Sequence, residues 1–142
     1  MQTMVSEQTV KVAPRRSRRA FVVLAWVFGL GVAAQAFLAG AGVFAGGSWM
    51  LWHIGLGHFL SSPIPIIPLV MVILSFVVRL PRYEKQLAGL LLVLAGIQPV
   101  FVYLRGVSSI IAAFHPLNAL LLFVLSFYLV LRMRNVEQGA VQ

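Results

Sequence analysis

The chain has 142 residues, 61% hydrophobic and 10% charged, with a mean hydropathy of +0.96, no cysteine and a net charge of +8. A soluble domain carries roughly 25% charged residues, so this composition excludes a soluble enzyme and defines an integral membrane protein with little mass outside the bilayer. The missing cysteines exclude disulfides, iron–sulfur clusters and thiolate zinc sites. The cations gather at span ends and form no stripe, which excludes nucleic acid as a partner.

Residues 1–19 are polar, lack periodicity and end in Arg15, Arg16, Arg18 and Arg19, so they read as a basic cytoplasmic tail. Ser17-Arg18-Arg19-Ala20-Phe21-Val22 has a twin-arginine look, and Ala34-Gln35-Ala36 has the look of a cleavage site. The apolar run continues past that site to Phe44, longer than the ~7–15 residues of a signal core, which favours an uncleaved first span over 20–44. A short turn over 45–48 leads into a second apolar stretch, 49–80. As one straight helix it would run ~48 Å, too long for a ~30 Å bilayer core. Pro63, Pro65 and Pro68 explain the excess by breaking the helix over 63–68. The third span is predicted over 86–104 and the fourth over 110–131, with 132–142 as a polar cytoplasmic tail. Ser61 and Ser62 belong to no acid–base triad, and Glu84 reads as a solvated partner of the loop cations around it.

Orientation follows from the cations. The two tails and the middle loop carry ten of the eleven Lys and Arg residues, and the remaining loops carry only Arg105. The positive-inside rule therefore places both termini in the cytoplasm and the turns at 45–48 and 105–109 outside. The expected fold is an all-α, four-helix membrane bundle made of two helical-hairpin repeats, in a bacterial cytoplasmic membrane.

The repeat is where chemistry enters. Gln35 is followed 18 residues later by His53, and Gln98 is followed 17 residues later by His115. Both pairs straddle an outer turn symmetrically, so all four residues occupy one layer, ~13 Å below those turns at ~1.5 Å per residue. Spans two and four are diagonal neighbours in an up-down-up-down bundle, so His53 and His115 are expected to face each other across the axis. Ionisable groups inside a membrane are expensive and mark functional sites by default. Two imidazoles from equivalent hairpins suit the two axial positions of a haem. Gln35 and Gln98 suit hydrogen bonding to the histidines or to a backbone carbonyl. The plain alternative is that all four residues are packing glue between helices, as the many Gly and Ala residues of the spans are. His58 lies about 140° around the helix from His53 at ~100° per residue, off its face, which makes it an alternative ligand or a structural residue. Chlorophyll ligation is not favoured, because no antenna-like Ala stands four residues before any histidine.

The segment LLLVLAGIQPVFVYLRGVSSIIAAFHPLNALLLF resembles one half of a haem A synthase, and AQAFLAGAGVF followed by LWHIGLGHFL resembles the matching first hairpin. That family is built of four-helix bundle halves with histidine haem ligands on facing helices. The resemblance implies His53 and His115 as ligands here. It does not extend to the synthase reaction: the chain has one bundle where that family has two, and no acidic residue precedes its first histidine. The whole chain is also similar to small four-span bacterial membrane proteins of a domain-of-unknown-function family.

The leading expectation is a b-type haem protein that transfers electrons near the outer face, with no autonomous catalytic activity. Arg105 is expected to pair with a haem propionate, helped by Ser108, Ser109 or Trp49. A quinone or other membrane subunits are the expected partners, beside the lipid itself. The alternative is a cofactor-free accessory subunit of a larger respiratory or photosynthetic complex. A transporter ranks third, on the broken second span.

Overall fold

The computed structural model describes residues 15–139, and residues 1–14 and 140–142 lie outside the described part. Five α-helices follow one another: α1 Arg15–Phe44, α2 Trp49–Ser61, α3 Ile66–Val77, α4 Arg82–Tyr103 and α5 Ser109–Gly139. A 3-10 turn, Leu104–Gly106, closes α4, and there is no strand among the described residues. With α2 and α3 counted together, four helical segments are long and apolar enough to cross a membrane. They alternate in direction around one axis. α1 packs beside α2, α3 and α5, and α4 packs beside α3 and α5, so α1 with α4 and α2 with α5 are the diagonals.

The interior seam is written in the sequence at coiled-coil spacing. Phe21, Ala25, Phe28 and Val32 bury one face of α1, and Ala88, Leu91 and Ala95 bury one face of α4. Leu122, Leu129 and Met133 do the same on α5. Hydroxyls that fall on the seam bond back into their own helices. Ser75 Oγ donates to the Val72 carbonyl at 2.6 Å, and Ser126 Oγ donates to that of Leu122 at 2.7 Å. Neither is therefore left unsatisfied in an apolar medium. Phe37, Phe44, Leu51, Trp52 and Ile110 point outward and are exposed, as a lipid-facing surface requires.

Three connections fix the hairpins. Gly46 and Gly47 both take positive φ, 68° and 66°, in the α1–α2 turn, a conformation that glycine adopts without penalty. The second span leaves the helix at Ser62 and resumes at Ile66, so Pro63 and Pro65 sit in the break. Pro68 instead occupies the first turn of α3, where a missing N–H leaves no helix bond unmade. α3 ends in a Schellman arrangement. Leu80 N–H donates to the Ser75 carbonyl at 2.9 Å and Arg79 N–H to that of Phe76 at 3.1 Å. Arg79 takes the left-handed position, φ 52°, that glycine usually fills.

The helices run further than the sequence pattern predicts. Arg15 to Arg19 belong to α1 and are not a separate tail, and α5 continues through Arg132 and Arg134 to Gly139. The physical reason lies at the lower end of the bundle. Met133 is fully buried there, and Arg132 is engaged by Glu84. Glu84 is the plainest correction: it is completely buried in the first turn of α4, and its partner is Arg132 of α5 and not the neighbouring loop cations. Arg132 Nη2 donates to Glu84 Oε1 at 2.6 Å and Nε donates to the same oxygen at 3.2 Å.

Candidate functional site

Each hairpin closes on itself through a reciprocal Gln–His clamp. In the first, Gln35 Nε2 donates to the His53 carbonyl at 2.9 Å, and His53 Nδ1 donates to the Gln35 carbonyl at 3.0 Å. In the second, Gln98 Nε2 donates to the His115 carbonyl at 3.0 Å, and His115 Nδ1 donates to the Gln98 carbonyl at 3.1 Å. The repeat is thus a repeat of geometry as well as of residue type. Gly57 leaves room for the first clamp, since a Cβ there would stand 3.1 Å from Gln35 Nε2.

The clamps decide the tautomer of both rings. A backbone carbonyl can only accept, so the proton of each neutral imidazole sits on Nδ1 and the lone pair on Nε2. Metal-bound histidines are oriented in the same way, with the other ring N–H donating to a carbonyl. The two rings meet across the α2–α5 diagonal, with centroids 6.3 Å apart and planes at 78°. An imidazole nitrogen binds a metal at ~2.0–2.1 Å with the ring centre about 1.2 Å behind it, so two rings on one ion have centroids ~6.5 Å apart. The observed centroid separation is close to that value.

A cavity of about 430 Å³ surrounds the pair and is lined by residues of all four spans. Ligand pockets run from about 300 to 1,000 Å³, so it is of ligand size. Its walls are mainly apolar: Val32, Ile54, Val102, Ala119 and Leu122. Gln35, His53, Gln98, His115 and Arg105 all line it. It is partly open, and Met50, Ile54 and Tyr103 of its lining are exposed. His58 also lines it, although its helical angle sets it off the face of His53. Trp49, Ser108 and Ser109 are not part of the lining. Trp49 packs edge-on against Phe37, and Ser108 Oγ accepts a long bond, 3.4 Å, from Ile111 N–H at the start of α5.

The donor set discriminates among cofactors. No group of three or more His, Cys, Asp or Glu able to hold a metal ion occurs among the described residues. Two imidazoles are too few for a bare zinc or iron site, which takes three or four protein ligands. They are the right number for an iron whose other four ligands are macrocycle nitrogens.

Asn118 is the site residue that sequence reasoning missed. It is buried, donates to the Leu94 carbonyl at 2.8 Å, and donates also to Gln98 Oε1. The signal was an amide three residues beyond His115, one turn along the same face of an otherwise apolar span.

Fold and site together define a multi-pass membrane protein, a four-helix bundle with a histidine pair at its core. The family of unknown function DUF6220 matches residues 35–104, just short of half the chain. The match includes Gln35, His53, His58 and Gln98 and ends before His115 and Asn118. No curated protein and no solved structure matches the chain.

Proposed function

We propose that the chain is a b-type haem protein that carries electrons close to the outer face of a bacterial cytoplasmic membrane. One observation carries the reading: two imidazoles on diagonal helices, each with Nδ1–H held by a carbonyl, face each other with 6.3 Å between ring centroids. His53 and His115 would hold the iron through Nε2, Gln35 and Gln98 would orient them, and Arg105 at the cavity edge would meet a propionate. Bound haem would supply one-electron chemistry, and a pair of histidine ligands suits electron transfer. A quinone or a neighbouring membrane subunit would exchange the electron. The likeness to one half of a haem A synthase fits the ligand pair and extends no further.

The test is a visible spectrum of the detergent-purified full chain after expression with haem supplied. Dithionite should produce the sharp α and β bands of low-spin, six-coordinate haem. Absence of a Soret band refutes the reading. It would leave the second one, a cofactor-free accessory subunit of a larger membrane complex. One observation favours that alternative: each Gln–His clamp already makes two hydrogen bonds inside its own hairpin and serves as glue with nothing bound.

The orientation is testable separately. A cysteine placed at Ser48, in a background free of cysteine, should react with a membrane-impermeant maleimide on intact spheroplasts. The expectation rests on the ten cations gathered at the opposite end. Labelling only after permeabilisation reverses the topology.

A further inference from the structure

The two clamps are alike in what they do to the histidines and unlike in what holds the glutamines. Gln98 is pinned at both ends of its amide. Nε2 donates to the His115 carbonyl, and Oε1 accepts from Asn118, itself anchored on the Leu94 carbonyl. Gln35 is pinned at one end only. Nε2 donates to the His53 carbonyl, while Oε1 is buried without a hydrogen-bond partner. The counterpart of Asn118, three residues past His53, is Leu56, which has nothing to donate. The supports differ in the same sense. His115 sits in the 31-residue α5, packed on both α1 and α4, and His53 sits in the 13-residue α2, packed mainly on α1 and more lightly on α4.

We propose that the two histidines are unequal ligands, with Asn118 acting through Gln98 to fix His115 while His53 is exchangeable, so that a small neutral ligand enters on the His53 side. This rests on the haem reading above. Outer-shell partners of a ligating histidine typically change metal affinity by ~10–100-fold, and here only one histidine has the complete set. In the exchange, the bond from His53 Nε2 to iron breaks as the bond from the incoming ligand's lone pair forms. No electron or proton is transferred, because His53 keeps Nδ1–H on the Gln35 carbonyl. Asn118 touches neither the iron nor the ligand. It is a positioning residue, and Leu56 marks the place where its twin is absent.

The full chain in detergent, loaded with haem, is tested by haem transfer to excess apomyoglobin and by the spectrum of the reduced protein under carbon monoxide. H53A should keep haem and bind carbon monoxide at once, and H115A should lose haem at least ~10-fold faster than H53A. N118L should speed loss from the otherwise native protein by ~10-fold while its reduced spectrum stays low-spin. L56N, which puts an amide at the position that Asn118 holds in the second hairpin, should slow carbon monoxide binding to the native ligand set, a gain that a misfolded variant cannot imitate. Equal haem loss from H53A and H115A, or an L56N protein indistinguishable from the native one, overturns the inequality while leaving the haem. A native protein without a Soret band overturns both.

Discussion

Either histidine alone should be indispensable to a six-coordinate spectrum: His53→Ala and His115→Ala are each expected to abolish the low-spin α and β bands completely. The argument is geometric. The rings stand on diagonal helices, and each is held in place by the Gln–His clamp of its own hairpin. Gln98 is committed to the His115 carbonyl and to Asn118, and an amide is a poor ligand in any case. His58 lines the cavity but lies off the face of His53, so His58→Ala should leave the bands intact. If the clamps are glue and nothing more, the outcome is quite different. Side-chain hydrogen bonds between membrane helices are worth about 0.6 kcal/mol on average, so each histidine would then cost little stability and change no spectrum. A His115→Ala protein that retained native α and β bands would remove His115 from the ligand set.

Much of this arrangement was legible before any coordinates, for a physical reason. In a bilayer both faces of a helix are apolar, so polar residues carry nearly all the positional information. The intervals from Gln35 to His53 and from Gln98 to His115 put those four at one depth, and up-down connectivity alone put the histidines on a diagonal. The proline run similarly announced a broken second span. Two things were not legible. Glu84 looked solvated because it stands among Arg79, Arg82 and Lys85 in the chain, and local charge says nothing about which side of a helix turns inward. Its position on the seam with Ala88, Leu91 and Ala95 was the available sign. Asn118 went unnoticed because it has no counterpart in the first hairpin, and repeat-based reading is blind to what only one repeat contains. Both omissions concern contacts between elements distant in sequence, Glu84 with Arg132 and Asn118 with Gln98, which no local pattern encodes.

At the opposite end of the bundle, Arg132→Leu should be among the most destabilising single changes in the protein, because it strips a buried carboxylate of its partner. The loss does not measure the worth of the ion pair. Arg132 is 38% exposed and Glu84 is fully buried, so the two partners do not suffer equally from separation. Without Arg132 the carboxylate stays in the interior with Oε1 unpaired, and Oε2 already lacks a partner. A buried carboxylate without compensation costs free energy. Without the carboxylate, the guanidinium simply turns outward to water or lipid headgroups, still able to rest over the Tyr83 ring, now 5.3 Å away. Glu84→Gln is therefore expected to cost about 1 kcal/mol, the scale of one neutral hydrogen bond. Removing both charges, as Glu84→Leu with Arg132→Leu, should recover most of the loss, since apolar replacement of a buried pair is commonly near neutral. Unfolding of the three variants in mixed detergent micelles gives the comparison directly. If Arg132→Leu and Glu84→Gln prove equally costly, the desolvated carboxylate is not what anchors this end, and the contribution belongs to apolar packing such as that of the buried Met133 and Leu129.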